Sequence, residues 1–210
     1  MKIDTLVLGE YQTNSYILRA ERNSPDCLII DTGLEAQPIL AFLSHNSLTP
    51  AAVVLTHGHI DHILALDAIR PAFPELKVYI HSLDAPALSD PCRNLSELMA
   101  APFRTAPADR LLEDGDIIEQ AHLTLKVIHT PGHTPGGISL YDPDNAVLFT
   151  GDTLFAGSIG RADFAFANMD QLAQSIRQKL YTLPDETLCY PGHGPQTTIG
   201  FEKKHNQFIR

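Results

Sequence analysis

One short stretch decides the fold of this 210-residue chain: Thr56-His57-Gly58-His59-Ile60-Asp61-His62. It places three imidazoles and one carboxylate within six residues, directly after the apolar run at residues 51–55. Structural zinc sites usually include thiolates, whereas imidazole with carboxylate suits zinc, iron or manganese. His57 and His59 alternate around Gly58 and can face one metal ion, while Asp61 and His62 begin a helix and face another direction. The stretch therefore predicts a metal site that has room for two adjacent ions.

Two further turns present a histidine after a predicted strand. Pro131-Gly132-His133 follows the strand predicted at residues 123–129, and Pro191-Gly192-His193 follows the one at 187–190. Asp152 comes directly after Phe149-Thr150-Gly151, at the end of another strand. Rigid strands position the loops at their ends, and functional residues collect there. These three residues are candidate metal ligands, and the alternative for each is an ordinary turn residue.

Apolar periodicity and turn residues predict the order of the secondary structure. Strands are expected at residues 3–8, 15–19, 27–31, 51–55, 77–81, 117–118, 123–129, 137–142, 146–149 and 187–190. Helices are expected at residues 36–45, 61–69, 168–181 and 201–208. Residues 82–115 carry several prolines and predict loop and short helix. Strands followed by a helix occur twice, which favours an α/β fold with two sheets between outer helices.

The composition excludes several classes of protein. A net charge of −10 without a basic stripe disfavours nucleic-acid binding through phosphate contacts. The apolar runs are strand-sized, which disfavours a membrane span, and the N-terminus does not resemble a signal peptide. The chain has three cysteines and no C-x-x-C pair, which is typical of a protein with reduced thiols. We therefore expect a cytoplasmic protein that acts on a small molecule, as a monomer or small homo-oligomer.

The motifs taken together resemble those of a known family. T-H-x-H-x-D-H, P-G-H-T-P-G, F-T-G-D-T-L-F and Y-P-G-H-G-P occur in this order between residues 56 and 193. They are similar to those of the metallo-β-lactamase superfamily, and among its branches most similar to the glyoxalase II (hydroxyacylglutathione hydrolase) group. The resemblance implies a four-layer αββα sandwich with a two-metal site at one edge. It also implies a single domain over residues 1–210, of the short type without a C-terminal helical glutathione-binding domain.

The resemblance also implies roles for individual residues. The first metal would be held by His57, His59 and His133, the second by Asp61, His62 and His193, and both by Asp152. Zinc is expected, two ions per chain, with iron or manganese as alternatives. The catalytic carboxylates would be Asp61 and Asp152, and substrate contacts would come from Arg161, Lys203 and Lys204. Typical glyoxalase II members have a third histidine at the position of Gly58, which the superfamily core does not need.

The implied activity is hydrolysis of a glutathione thioester, S-lactoylglutathione to D-lactate and glutathione, by a metal-bridging hydroxide. Two adjacent dications can lower the pKa of a shared water towards neutrality. No G-x-S-x-G motif or reactive-cysteine context indicates a covalent nucleophile. The alternatives within the superfamily are a lactonase or other thioesterase, a β-lactamase, an RNA phosphodiesterase and a mononuclear iron persulfide dioxygenase. The alternatives from another class are a non-catalytic zinc protein and an electron carrier.

Overall fold

A computed structural model describes residues 1–99 and 102–209 and contains two six-stranded sheets. The first sheet consists, in spatial order, of β1 (Lys2–Leu8), β2 (Thr13–Arg19), β3 (Asp26–Ile30), β4 (Thr49–Val54), β5 (Lys77–His81) and β6 (Arg110–Leu112). Its first three strands are antiparallel, and β3 to β6 are parallel. The carboxyl ends of β3, β4 and β5 therefore lie at the same edge.

The second sheet is built from the later part of the chain. Its strands are β7 (Ile117–Gln120), β8 (Leu123–His129), β9 (Ile138–Asp142), β10 (Val147–Gly151), β13 (Leu188–Pro191) and β14 (Thr197–Thr198). Their spatial order is β14-β13-β10-β9-β8-β7. A separate hairpin of β11 (Leu154–Phe155) and β12 (Ser158–Ile159) follows β10. Because β9 is antiparallel to both β8 and β10, and β13 is parallel to β10, three strands of this sheet end at one edge.

The helices lie outside the two sheets. They are α1 (Ala36–His45), α2 (Ile60–Ile63), α3 (Leu66–Ala72), α4 (Met169–Gln178) and α5 (Ile199–His205), with short 3₁₀ turns at Ala85–Leu88, Ser96–Leu98 and Leu180–Thr182. The side chain of Asn168 caps α4 by accepting a hydrogen bond from the N–H of Gln171, and Thr198 caps α5 in the same way. No helix in the described residues is long and apolar enough to cross a membrane.

Three apolar clusters separate four layers, which confirms the predicted αββα sandwich. Ile29 of β3 packs in the cluster beneath α1 to α3, whereas its neighbours Leu28 and Ile30 pack between the two sheets. A third cluster, including Leu172 and Ile199, joins the second sheet to α4 and α5. Central strands that are buried on both faces need apolar residues at successive positions, which explains their unbroken apolar runs.

The structure corrects parts of the predicted helices and loops. The helix predicted at residues 61–69 is two helices, α2 and α3, and Pro71 lies inside α3 instead of after its end. Proline removes the bond to the carbonyl four residues earlier, here that of Asp67, which lies on the exposed side. The strand β6 was missed in residues 82–115 because three residues carry too little periodicity to detect.

Candidate metal centre

The predicted ligands meet at the edge where the strands end. His57 and His59 lie in the loop between β4 and α2, and Asp61 and His62 belong to α2 itself. The other three follow β8, β10 and β13: His133, Asp152 and His193. The two sheets thus bring together side chains that are far apart in the sequence.

One group of side chains contains His57, His59 and His133. One nitrogen from each ring lies within 4.8 Å of the others, and all three residues are buried. Nδ1 of His59 is 3.0 Å from Nε2 of His133. Three imidazoles converging in this way match the ligand set of a divalent transition metal.

A second group contains Asp61, His62 and His193, and Asp152 lies between the two groups. Asp61 Oδ2 is 3.2 Å from His193 Nε2 and 3.5 Å from His62 Nε2. Asp152 Oδ1 is 3.4 Å from His62 Nε2, and its Oδ2 is 3.5 Å from His193 Nε2 and 3.6 Å from His133 Nε2. The carboxylate of Asp152 therefore faces both groups at once.

Main-chain carbonyls orient two of the histidines. The carbonyl oxygen of Arg161 accepts a hydrogen bond from Nδ1 of His133 at 2.7 Å, and that of Tyr11 accepts one from Nδ1 of His193 at 2.9 Å. Each bond places the proton on Nδ1, which leaves the lone pair of Nε2 facing the centre. Ligands of metals usually hold their second nitrogen in this manner.

The buried carboxylate of Asp31 orients two more histidines from below. Its Oδ2 accepts from Nδ1 of His62 at 2.8 Å and from the hydroxyl of Thr56 at 2.7 Å. Because the Thr56 proton is directed to Asp31, the hydroxyl oxygen is free to accept from Nδ1 of His57, 3.1 Å away. Asp31 was not among the predicted site residues, although it directly follows a strand, the same signal that identified Asp152.

A second missed carboxylate, Asp84, joins the loops of the two sheets. It accepts hydrogen bonds from the N–H of Gly58, the hydroxyl of Thr134 and the N–H of Gly136, over 3.0, 2.7 and 2.6 Å. Burial, which outweighs these bonds, raises the pKa of Asp84. No pattern in the sequence marked it, since it lies in the stretch predicted as loop.

Close packing accounts for the glycine at position 58. A Cβ atom at this position would lie 2.4 Å from the Cβ of Ala87, which belongs to the 3₁₀ turn at Ala85–Leu88. A larger side chain would have to displace that turn. The contact with Ala87 therefore requires glycine at position 58.

A metal fits the buried atoms that lack partners. Within the described residues, Nε2 of His57, Nε2 of His62 and Oδ1 of Asp152 are buried without a hydrogen bond. Buried polar atoms are nearly always paired, and unpaired ones at a cluster of imidazoles and carboxylates indicate an ion that binds there. The fold and these residues together imply a divalent metal.

The electrostatics keep two of the histidines neutral. Burial, helped by the neighbouring histidines, lowers the pKa of His59 to about 3 and that of His57 well below its usual value. Neutral imidazole is the form that binds a metal ion. Neither histidine therefore has to release a proton at neutral pH before it can act as a ligand.

Neighbouring histidines keep the carboxylates of Asp152 and Asp61 ionised. Burial alone would raise the pKa of Asp152, but the charge of His62 and a hydrogen bond from His193 hold it well below its usual value. The pKa of Asp61 is lowered for the same reason. Burial by itself would lower the pKa of His193, but the hydrogen bonds to Asp152 and Asp61 outweigh burial and raise this pKa to about 10. Because Nδ1 already donates to the carbonyl of Tyr11, this second proton is on Nε2, and a cation bound there would replace it.

An open cleft of about 400 Å³ gives access to the centre. Its polar lining includes His59, Asp61, His133, Asp152 and His193. Its other walls are mostly apolar and consist of Tyr11, Ile60, Leu95, Met99, Phe155 and Phe164, together with Arg161. A small molecule with an apolar part can therefore reach the buried imidazoles.

Of the basic residues expected to contact substrate, the structure brings only Arg161 to this cleft. Its exposed guanidinium forms two 3.0 Å bonds to Asp163 and stacks 4.4 Å above the ring of Phe164. Lys203 donates instead to Asp185 Oδ1 and to the carbonyl of Leu183. Lys204 is exposed on the same helix and does not line the cleft. Neither lysine lines the cleft, because α5 packs its inner face on the second sheet.

Comparison with known proteins identifies the family. A family model described as the metallo-beta-lactamase superfamily matches residues 8–193, which includes all seven residues of the candidate centre. The chain belongs to the metallo-β-lactamase superfamily. The motifs between residues 56 and 193 thus indicated the family correctly, and the fold agrees with it.

Two curated relatives match this superfamily member along its whole length. It is 39% identical over 210 residues to a probable metallo-hydrolase, YqgX, of Bacillus subtilis, covering 100% of this chain and 98% of that one. It is 33% identical over 218 residues to the hydroxyacylglutathione hydrolase GloC of Haemophilus influenzae, covering 100% and 98%. The second relative supports the similarity to glyoxalase II, and the first indicates a metal-dependent hydrolase.

Solved structures of the superfamily agree in fold but differ in description. The BLEG-1 B3 metallo-beta-lactamase is 41% identical, with a TM-score of 0.93 and coverage of 99% of both chains. TTHA1623, solved in a di-iron-bound form, is 37% identical, with a TM-score of 0.86 and coverage of 98% and 100%. The solved structures at this level of identity therefore include one named as a metallo-beta-lactamase and one that binds two iron ions.

Proposed function

We propose that this chain is a binuclear metal-dependent thioesterase that hydrolyses glutathione thioesters such as S-lactoylglutathione. The observation that carries the proposal is the position of Asp152, whose carboxylate lies 3.4 to 3.6 Å from histidines of both groups of ligands. The similarity to GloC supports the substrate class, and the similarity to YqgX supports metal-dependent hydrolysis.

Each group of residues has a stated role in this proposal. The first ion would be held by His57, His59 and His133, the second by Asp61, His62 and His193, and both by Asp152. When bound, the two ions supply a water of lowered pKa and polarise the carbonyl that is attacked. Zinc is the expected metal, and the di-iron form of TTHA1623 makes iron the first alternative to test.

The chain's own residues then orient and protect the reacting groups. The carbonyls of Arg161 and Tyr11 and the carboxylate of Asp31 keep the ligand nitrogens aimed inward. A thiol leaving group has a pKa of about 8.5, so it departs as thiolate without a general acid. The apolar walls of the cleft can contact the apolar part of a thioester, and Arg161 is the group that can meet a carboxylate of glutathione.

A second candidate activity is β-lactam hydrolysis, favoured by the 41% identity to the BLEG-1 B3 metallo-beta-lactamase. The same ligands would serve that reaction, since an amide carbonyl is attacked as a thioester carbonyl is. The two activities differ in the leaving group, because a β-lactam releases an amine and has no thiolate to expel. The substrate preference, and not the metal content, therefore separates them.

The test measures metal content and substrate preference on the same protein. Metal-free protein is titrated with Zn²⁺ or Fe²⁺, and hydrolysis of S-lactoylglutathione, a lactone and a chromogenic cephalosporin is followed. We expect thioester hydrolysis to rise until two ions are bound per chain, and to exceed the other two activities in kcat/KM. Activity complete at one ion would contradict the binuclear site, and oxygen consumption with a persulfide would favour the dioxygenase alternative.

A matched pair of variants connects the activity to the centre. His133→Ala removes a residue of the first group, whereas His45→Ala removes an exposed histidine at the end of α1. We expect His133→Ala to lose bound metal and thioesterase activity, and His45→Ala to retain both. Thioester hydrolysis that survives in metal-depleted His133→Ala would contradict the proposal.

A further inference from the structure

The helix α5 contains a fully buried carboxylate, that of Glu202, which forms no salt bridge among the described residues. It accepts hydrogen bonds from three neutral donors instead. The N–H of Gly157 lies 3.1 Å from Oε1 and 3.0 Å from Oε2, the hydroxyl of Thr197 is 2.5 Å from Oε1, and the amide of Asn206 is 2.8 Å from Oε2. Burying a carboxylate is unfavourable unless such donors satisfy it, so the arrangement requires a specific partner.

That partner is the tip of the hairpin formed by β11 and β12. Gly157 has φ +70°, a conformation that a side chain would strain, and it occupies the two-residue turn between the strands. Asn206 also donates to the carbonyl of Ser158 at 3.0 Å. The carboxylate of Glu202 and the amide of Asn206, which directly follows α5, therefore hold the N–H of Gly157 and the carbonyl of Ser158.

The other end of the hairpin belongs to the candidate metal centre. Asp152 lies two residues before the start of β11. Arg161, whose carbonyl orients His133, lies two residues after the end of β12. Phe155 of β11 lines the cleft, with its ring centroid 6.1 Å from that of His193. A shift of the hairpin would move the bridging carboxylate, the acceptor of His133 and one cleft wall together.

We infer that Glu202 is a positioning residue, which holds the hairpin of residues 154–159 so that Asp152 and the carbonyl of Arg161 stay aligned with the metal ligands. The inference rests on the proposed metal centre. It also explains the stretch Thr198-Ile199-Gly200-Phe201-Glu202, in which Thr198 caps α5, Ile199 packs into the third cluster and Glu202 reaches the hairpin.

The variant Glu202→Gln tests this inference with almost no change of shape. Glutamine offers one acceptor oxygen and adds two N–H donors, so the three existing donors can no longer all be satisfied. Groups that orient metal ligands typically change metal affinity by about 10- to 100-fold when altered. We expect about a tenfold weaker affinity for one of two Co²⁺ ions, with altered visible absorption bands and a raised KM for the thioester.

The control is Ile39→Val, which removes one buried methyl group from α1, in an apolar cluster that contains no residue of the hairpin. It lowers the unfolding temperature through packing alone, and its Co²⁺ titration should match that of the wild type. If Glu202→Gln lowers the unfolding temperature but leaves Co²⁺ binding and KM as in this control, Glu202 is only structural and the inference is wrong.

Two further outcomes are distinguished in the same titration. If Glu202→Gln does not fold, Asn206→Ala, which removes the donor shared by Ser158 and Glu202, takes its place with the same expected result. A wild-type protein that binds no Co²⁺ would overturn the proposed metal centre and the inference with it. Normal binding by the wild type and by Asn206→Ala would overturn the inference alone.

Discussion

Asp31 and His62 form a buried hydrogen bond of 2.8 Å, in which Nδ1–H of the histidine donates to Oδ2 of the carboxylate. Asp31 also accepts from both the N–H and the hydroxyl of Thr56, at the start of the loop that carries His57 and His59. One carboxylate behind the centre thus orients a ligand of the second group and anchors the loop of the first.

Replacing Asp31 by asparagine should therefore weaken metal binding. The amide keeps one acceptor but presents N–H groups to His62 or Thr56, so the ring loses its fixed orientation. We expect about a 10- to 100-fold loss of affinity for one of the two proposed ions. Competition with a chromogenic chelator measures it. Asp26→Asn, at the start of the same strand, is the control. Equal affinities in the two variants would contradict the role of Asp31.

Removal of Asp152 should harm catalysis more than any change at a basic residue. Its carboxylate is the group that faces both sets of ligands, so Asp152→Ala removes the connection between the two proposed ions. We expect kcat to fall by about 10³ or more, equivalent to roughly 4 kcal/mol of barrier. Steady-state kinetics on metal-loaded protein provide the test, with exposed Asp144→Ala as the control. A near-normal kcat would make Asp152 an ordinary turn residue.

Arg161 should affect substrate binding more than turnover. The guanidinium is exposed and already paired with Asp163, so its contact with a glutathione carboxylate is expected to be weak. We expect Arg161→Ala to raise KM for the glutathione thioester by about two- to fivefold, as for exposed ion pairs. KM for a small uncharged thioester should stay unchanged. An equal loss for both substrates would mean that Arg161 acts through the structure of the loop.

The variant Asp163→Asn tests whether the ion pair with Asp163 limits the contact between Arg161 and substrate. It removes the partner that competes for the guanidinium while leaving the backbone of the loop in place. KM for the glutathione thioester should therefore remain the same or decrease, in contrast to Arg161→Ala. A rise in KM in both variants would show that the ion pair itself shapes the cleft.

The stability of the folded protein should decline below about pH 6.5 in part because of His81. This residue is 2% exposed and stacks on His129 with ring centroids 4.1 Å apart. Burial and the charge of His129 lower its pKa below 6.5, against the opposing effect of Glu113 and Asp114. Because the unfolded chain then binds the proton more readily, this contribution reduces stability as the pH falls through 6.5 towards the folded pKa.

The variant His81→Asn tests this pH dependence. Asparagine retains an acceptor for the N–H of Leu83, which now donates to Nδ1 of His81, but it does not titrate. Urea unfolding of zinc-loaded protein at about pH 7 and about pH 5 should show a smaller loss of stability than in the wild type. Exposed His122→Asn should behave as the wild type does. An unchanged loss in His81→Asn would remove His81 as a cause.

The family and the fold class could be predicted from the sequence because their signals are local. A histidine-rich turn after an apolar strand, and two Pro-Gly-His turns after others, are complete within a few residues each. Alternating apolar strands and helices likewise indicated the layers without knowledge of their contacts. The same local signals predicted one helix incorrectly. The apolar periodicity of residues 61–69 is unbroken, yet the structure has two separate helices there, α2 and α3.

What only the tertiary structure decided is which groups stand behind and around the predicted ligands. The carbonyl that orients His193 comes from Tyr11, 182 residues earlier, and Asp84 binds Gly136 across 52 residues. Such bonds leave no periodic trace, because a main-chain carbonyl is the same in every residue. The sequence also could not show that Lys203 lies beside Asp185 and not in the cleft, because the direction of a side chain depends on how its helix packs. The sequence by itself determined the candidate ligand set and the layered fold, and the packing of the two sheets determined their orientation and supports.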